Sequence, residues 1–270
     1  MAWHKRLRKY VVIKVIKNCS DGAVEVHRNE VEALKNIKSM HIPQVLDFFI
    51  EENRSFSVME YIDGVSFDKL LRVGRHFTEP QIVKWYLQLA WTLDAIHKNG
   101  VCHRDIKPSN IMRTTNGDVY LIDFNSALVS GNNTGVISRS MGYASPEQYE
   151  YFKMCKSLSI DNTHVYSDFI ETALLVGDCK TEPALRVHST SCVGTHGIDW
   201  KLSDIYSLGA TMYHFLTRKR PPVAAGDVAL ILTLKGYSEG ILKVIERSMR
   251  SEPSERFSSA EELGCALRSL

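Results

Sequence analysis

The chain has 270 residues, of which 44% are hydrophobic and 24% are charged, and its formal net charge is +2. These values exclude a wholly disordered chain, and so small a net charge gives no reason to expect nucleic acid or an anionic membrane as a partner. The six cysteines are scattered without a C-x-x-C pair, and no apolar run reaches about 18 residues. We therefore expect a reduced, cytoplasmic protein with no membrane segment in this chain.

The first part of the chain predicts short strands and one helix. Residues 10–16 are rich in β-branched side chains, and residues 55–62 form a second apolar run, so both predict strands. Between them lies an apolar stripe with helical spacing, formed by Val31, Leu34 and Ile37. These elements predict a small first unit over residues 1–62.

The rest of the chain predicts helices. Residues 78–81 read Thr-Glu-Pro-Gln, a capping box with proline in the first turn, and a long apolar stripe follows them. A second apolar helix is predicted over residues 204–216. Near the C terminus, Ser258 and Glu261 predict another capping box.

The most informative motif is residues 103–110, which read His-Arg-Asp-Ile-Lys-Pro-Ser-Asn. Asp105 could orient an attacking hydroxyl and accept its proton. Asn110 and Asp123, the latter on a predicted strand, offer the oxygen ligands that Mg²⁺ prefers. Lys107 would offset the charge that develops on a transferred phosphoryl group. Together these residues predict a phosphoryl-transfer site that uses Mg²⁺.

These motifs resemble the eukaryotic-type serine/threonine protein kinase family, and the resemblance covers nearly the whole chain. It implies an α+β, two-lobed kinase fold, with a small antiparallel β lobe carrying one helix over residues 1–62. The larger, mainly helical lobe would occupy residues 63–270, with an insertion at about 150–199. The implied reaction transfers the γ-phosphoryl group of ATP to serine and threonine hydroxyls of protein substrates. The amino-acid sequence of residues 203–209 resembles that of bacterial members of the family.

The resemblance also implies nucleotide-binding residues. Lys14 matches the lysine that holds the α- and β-phosphates, and Glu30 matches the glutamate that pairs with it. The residues implied around the adenine are Val12, Met59 as the gatekeeper, Glu60, Ile62 and Met112. Asp123 matches the aspartate that holds Mg²⁺ beside the phosphates.

Three residues of the larger lobe match structural positions of the family. Glu147, in the string Gly-Tyr-Ala-Ser-Pro-Glu, matches the end of the activation segment. Arg256 matches the arginine that pairs with this glutamate. Asp204 matches the aspartate that opens the central helix of the lobe.

Two further residues bear on substrate class and control. Ser140 together with Lys107 favours the serine/threonine over the tyrosine subclass. Arg104, directly before Asp105, predicts control by phosphorylation in the activation segment. The candidate phosphorylation sites are Ser126, Ser130, Thr134, Ser138 and Ser140.

The N-terminal segment departs from the family pattern. Thirteen residues precede Lys14 and no glycine occurs before Gly22, whereas two strands and a phosphate-cradling turn need roughly 20 residues. The glycine-rich loop is therefore expected to be missing through truncation or true loss, or to be replaced by another segment. The glycine that usually follows Asp-Phe is Asn125, which tolerates a left-handed backbone.

The spacing between Glu147 and Asp204 exceeds the family's, and the excess falls in residues 150–199. Their polar composition and few periodic runs favour a flexible surface loop. A zinc site is the less favoured alternative, using Cys179, His188, Cys192 and His196.

These departures leave a second function open, namely a weak or inactive pseudokinase that acts as a scaffold or regulator. A small-molecule phosphotransferase is a third, which the expected pairing of Glu147 with Arg256 argues against.

Overall fold

The computed structural model describes residues 1–16, 24, 27–28, 31–32, 34–35, 37, 39–52, 54–129, 135–137, 140–160, 185–187, 198–222 and 228–270. Their N-terminal part forms an antiparallel sheet with helical segments beside it, and the rest is mainly helical.

The N-terminal strands form one antiparallel sheet in the order β1-β2-β4-β3. The strands are β1 (Ala2–His4), β2 (Lys9–Ile16), β3 (Val45–Glu51) and β4 (Arg54–Glu60). The strands predicted over residues 10–16 and 55–62 are thus confirmed, although the second ends at Glu60. A turn over residues 5–8 joins β1 to β2 without a glycine, and Arg8 adopts a φ of 49° there.

Helical backbone between β2 and β3 is described at residues 24, 27–28, 31–32 and 34–35. The apolar stripe predicted for this helix, which comprises Val31, Leu34 and Ile37, is buried. Burial of one apolar face is the reason for a helix in this position.

The C-terminal part contains α1 (Phe67–Arg72), α2 (Glu79–Lys98), α3 (Pro146–Ile160), α4 (Trp200–Thr217), α5 (Glu239–Ser248) and α6 (Ala260–Arg268). Helix α2 packs against α4 and α6, and α4 packs against α5. The stripe on α2 that the sequence predicts as core is buried, including Tyr86, Leu89, Leu93 and Ile96.

Local capping explains where these helices begin. Thr78 precedes α2, and its amide donates to Gln81 Oε1 at 3.0 Å. This is one of the two hydrogen bonds of the predicted capping box, which is thereby confirmed. The box predicted for α6 was wrong by one residue, because Ser259 is the N-cap and its Oγ accepts from the amide of Glu262 at 3.1 Å. Helix α4 begins earlier than predicted, at Trp200, with Asp199 as its N-cap.

Short strand pairs connect the larger elements. Strands β5 (Gly64–Ser66), β7 (Ile111–Thr114) and β8 (Val119–Leu121) form one sheet. Strand β6 (Val101–Cys102) pairs with β9 (Leu128–Val129), and β10 (Gly135–Ile137) pairs with β11 (Leu185–Val187). The β6–β9 pair places the chain after residue 102 beside the chain before residue 128.

The expectation of a surface loop over residues 150–199 was wrong for two of its described segments, 150–160 and 185–187. Residues 150–160 continue α3, because Tyr149, Phe152 and Cys155 recur on one face and are buried. Residues 185–187 form β11 against β10. The proposed zinc ligands Cys179, His188, Cys192 and His196 lie outside the described residues.

The arrangement confirms the predicted α+β class, with an antiparallel sheet lobe and a mainly helical lobe. Within the described part of the chain, no helix combines the length and the apolar character needed to cross a membrane.

Candidate active site

Asp204 anchors the loop that carries the 103–110 motif. The carboxylate is buried inside α4, where Oδ2 accepts from the amide of His103 and Oδ1 from the amide of Arg104, both at 2.8 Å. The ring nitrogen Nε2 of His97 on α2 lies 2.9 Å from Oδ2. Asp204 is the fifth residue of α4 rather than its first, so the expectation that it opens the helix was wrong. Its role is to hold the loop.

Arg104 is buried beneath α3 and α4. Its Nε donates to the carbonyl of Ser126 at 2.6 Å, and its guanidinium lies 5.2 Å from the ring centroid of Trp200. Gln148 Nε2 donates to the Arg104 carbonyl at 2.8 Å. Burial lowers the pKa of the Arg104 guanidinium to about 10, so the group remains charged at neutral pH. The sequence contained no signal for Trp200 or Gln148 at this place.

The carboxylate of Asp105 is held from three sides. Lys107 Nζ lies 2.8 Å from Oδ2, and Asn110 Nδ2 donates to the same oxygen at 3.1 Å and to the Asp105 carbonyl at 2.9 Å. Ser140 Oγ donates to Oδ1 at 2.7 Å and accepts from Lys107 Nζ at 3.1 Å. The structure therefore brings together the motif residues and Ser140, which follows Asp105 by 35 positions.

Asp123 lies next to this cluster. The amide of the preceding residue, Ile122, donates to the Asn110 carbonyl at 2.8 Å. The following residue, Phe124, is buried with its ring 4.6 Å from that of His103. Among the described residues, the half-buried Asp123 carboxylate has no hydrogen-bond or ion-pair partner. Such a carboxylate, one residue after the backbone hydrogen bond to Asn110, suits a divalent cation with oxygen ligands.

The backbone at the Asp-Phe-Asn string differs from the expectation. Asp123 has a φ of 65°, whereas Asn125 is not among the residues with positive φ. The left-handed residue is therefore the aspartate, and the turn does not use the conformational tolerance of Asn125.

Lys14 reaches the same region from β2. Its Nζ donates to Oδ1 of Asn125, which joins the sheet lobe to the segment after Asp123. Glu30, the expected partner of Lys14, lies outside the described residues.

The residues expected around adenine lie on β2, β4 and β7 and in the segment after β4. Val12 on β2 lies opposite Met59 on β4, and Glu60 ends that strand with its amide donating to the Gln44 carbonyl at 2.9 Å. Ile62, two positions after β4, is buried. Met112 lies on β7, paired with Tyr120 of β8.

The predicted phosphorylation sites have different environments. Ser126 is buried, and Ser140 contacts Asp105 and Lys107. Ser130, Thr134 and Ser138 lie outside the described residues. Control by phosphorylation stays a prediction.

The expected pairing of Arg256 with Glu147 is confirmed, with Nη1 lying 2.7 Å from Oε1.

The match to known families agrees with this geometry. Residues 1–161, more than half of the chain, match the family model of the protein kinase domain, and the chain belongs to that family.

The chain is similar to named protein kinases of bacteria and yeast. A probable serine/threonine-protein kinase of Clostridium acetobutylicum is 26% identical over 278 residues, which cover 95% of this chain and 35% of that protein. The serine/threonine-protein kinase PknD of Mycobacterium tuberculosis is 28% identical over 270 residues, 97% of this chain and 36% of PknD. The serine/threonine-protein kinase cds1 of Schizosaccharomyces pombe is 26% identical over 277 residues, 94% and 52% of the two chains. The chain thus spans 35% and 36% of the length of the two bacterial relatives.

Proposed function

We propose that this chain transfers the γ-phosphoryl group of ATP to serine and threonine hydroxyls of proteins. The observation that carries the proposal is the Asp105 carboxylate, held by Lys107 and Asn110 and capped by the hydroxyl of Ser140. The similarity to proteins named as serine/threonine-protein kinases supports the same reaction.

In this proposal Asp105 orients the attacking hydroxyl of the substrate and accepts its proton at a carboxylate oxygen. Lys107, whose Nζ already lies 2.8 Å from that carboxylate, supplies a positive charge next to the transferred group. Asn110 keeps the carboxylate in place through its two hydrogen bonds to Asp105. Each residue thus positions or balances charge, which is most of what phosphoryl transfer requires of a protein.

ATP and Mg²⁺ are the proposed cofactors. Asn110 and Asp123 would hold Mg²⁺ through oxygen atoms, and the bound ion would neutralise charge on the phosphates. Lys14, with Glu30 as its expected partner, would hold the α- and β-phosphates. Val12, Met59, Glu60, Ile62 and Met112 would surround the adenine.

The test is the substitution Asp105→Asn, assayed by transfer of ³²P from labelled ATP to a generic protein substrate. We expect a loss of about 10²–10⁴-fold in rate with nucleotide binding retained, because only the proton acceptor is removed. Asp47→Asn, an exposed aspartate on β3, is the matched control and should leave the rate unchanged. Equal rates for Asp105→Asn and the wild type would contradict the proposal.

The alternative is a non-catalytic scaffold, suggested by Asn125 at the position where glycine usually follows Asp-Phe. We favour catalysis because the charged groups Lys14, Asp105, Lys107 and Asp123 are all retained. Calorimetric titration with Mg²⁺ and ATP, run beside the transfer assay, separates the two functions. Nucleotide binding without any transfer would indicate the scaffold.

We also propose a lobe boundary between residues 62 and 63, because β4 ends at Glu60 and β5, in a different sheet, begins at Gly64. A cytoplasmic location, protein substrates and no nucleic-acid partner remain part of the proposal. The thiols of Cys102 and Cys265 form no disulfide, which suits a reducing compartment.

A further inference from the structure

Two basic segments of the helical lobe meet at the C-terminal end of α4. Arg218 caps that helix in a left-handed conformation, with a φ of 61°. Its Nη1 donates to the carbonyl of Arg75 at 2.9 Å and its Nη2 to the carbonyl of Leu71 at 2.7 Å. These hydrogen bonds tie the segment after α4 to the end of α1 and place their basic side chains on one surface. We call this surface the basic patch; it comprises Arg72, Arg75, Arg218, Lys219 and Arg220.

The patch is a local excess of positive charge on a nearly neutral chain. The whole chain has 33 basic and 31 acidic residues. In contrast, residues 68–76 and 214–222 hold six lysines and arginines against the single carboxylate of Asp68. That carboxylate lies 2.9 Å from Arg72 Nε. Arg75, Lys219 and Arg220 are exposed, so their charges face solvent and any molecule that approaches.

The patch adjoins the loop that reaches Asp105. At Gly142, a Cβ atom would lie 3.3 Å from Cγ of Arg220 and 2.4 Å from the carbonyl oxygen of Pro221, so this loop is in close contact with the residues after α4. Gly142 is two positions after Ser140, whose hydroxyl donates to Asp105 at 2.7 Å. A substrate hydroxyl that reaches Asp105 therefore arrives within a few residues of Arg220, since an extended chain spans about 3.3–3.6 Å per residue.

Electrostatics at the neighbouring histidine agree with this placement. His214 Nδ1 lies 2.6 Å from Oη of Tyr143, in the same loop. Burial, followed by the positive charges of Arg220 and Arg218, lowers the pKa of His214 to about 4, while Asp68 acts in the opposite direction. His214 is therefore neutral at neutral pH, and the positive field near the loop comes from the arginines.

We infer that the basic patch binds acidic side chains of the protein substrate, so that the domain prefers serine or threonine with aspartate or glutamate within about four residues. Arginine suits this role because its planar guanidinium matches a carboxylate with two parallel hydrogen bonds. The inference rests on the proposed kinase function and adds the class of substrate to it.

The test compares three synthetic peptides that share one serine and differ only in their flanking residues, which are acidic, neutral glutamine or basic. We expect the wild type to phosphorylate the acidic peptide with a kcat/KM roughly three- to tenfold above that of the glutamine peptide, an advantage that falls as salt is raised. Arg220→Glu should abolish this preference or reverse it towards the basic peptide. Lys219→Glu is a second variant that should act in the same direction.

The matched control is Arg54→Glu. Arg54 is an exposed arginine in the sheet lobe and is the first residue of β4. It should leave the peptide preference unchanged. Equal rates on the three peptides, or a preference that survives both patch variants, would overturn the inference while the kinase function stands. Transfer to none of the peptides and no autophosphorylation would remove the kinase function and the inference together. Oligonucleotide binding that Arg220→Glu weakens, without a peptide preference, would overturn it in favour of nucleic acid.

Discussion

Arg256 and Glu147, which are 109 positions apart, form a two-pronged ion pair, with Nη1–Oε1 at 2.7 Å and Nη2–Oε2 at 2.9 Å. The Arg256 side chain is fully buried, and its other donors reach the carbonyls of Arg250, Ser251 and Leu202 at 2.7–3.0 Å. This pair joins the start of α3 to the chain just before α6. It therefore holds the start of α3, which directly follows the segment that carries Ser140 and Gly142.

Removing the carboxylate of this pair should destabilise the protein strongly. Glu147→Ala leaves the buried Arg256 guanidinium without its partner, and we expect a loss of about 3–5 kcal/mol in the free energy of unfolding. Glu246→Ala is the control, because it removes the carboxylate that lies 3.1 Å from the half-exposed Arg250 and should cost less than about 1 kcal/mol. Urea denaturation of both variants measures the difference. Similar losses would show that burial of the pair does not matter.

Gly142 should not accept a side chain. Its φ is 82°, and a Cβ atom would lie 2.4 Å from the Pro221 carbonyl oxygen. Gly236 has a φ of 93° but no atom within 4 Å of an added Cβ. The variant Gly236→Ala therefore measures the free-energy cost of the positive φ alone. We expect Gly142→Ala to be less stable than Gly236→Ala by about 1–3 kcal/mol, the usual cost of overpacking. Thermal unfolding measures both, and equal melting temperatures would contradict the close contact.

Ser140 should matter for turnover more than for stability. Its hydroxyl joins Asp105 and Lys107, and a hydrogen bond to a charged group contributes about 1.5–3 kcal/mol. We therefore expect Ser140→Ala to lower kcat by roughly 10- to 100-fold with little change in the KM for ATP. Ser140→Thr keeps the hydroxyl and should restore most of the activity. A threonine variant as slow as the alanine variant would mean that the hydroxyl is not what the site needs.

The buried histidine of the sheet lobe should make stability depend on pH. His27 lies with Nδ1 2.7 Å from Ser55 Oγ and Nε2 2.9 Å from Ser57 Oγ. Burial, and then the charge of Lys14, lowers its pKa from 6.5 to about 4. Because the unfolded chain binds the proton more readily than the folded one, stability should fall as the pH decreases from 6.5 towards 4.

The size of this loss is at most about 3 kcal/mol for His27, and His214, whose pKa is lowered in the same direction, adds to it. Chemical denaturation across this pH range measures the slope. His27→Gln removes the titrating ring and keeps hydrogen-bonding groups, so its slope should be shallower than that of the wild type. An unchanged slope would show that His27 does not titrate in this window.

The sequence by itself determined the elements whose signals are local. The 103–110 motif is contiguous, so its chemistry can be interpreted without a fold, and the apolar stripe of α2 and the capping residues at 78–81 depend on neighbours within a few positions. Even so, the start of α6 was displaced by one residue. Ser258 and Ser259 are equally good caps in isolation, and packing of the helix decides which of them serves.

Only the tertiary structure decided which distant groups meet. The two backbone amides that donate hydrogen bonds to Asp204 lie 101 and 100 positions away from it in the chain. The hydrogen bond between Lys14 and Asn125 spans 111 positions. Two further contacts join segments far apart in the chain. The Trp200 ring packs on the Arg104 guanidinium, and Arg218 donates to the carbonyl of Arg75. No periodicity in the sequence encodes these pairs, because they form only when segments far apart in the chain pack together and most of their buried polar groups find partners.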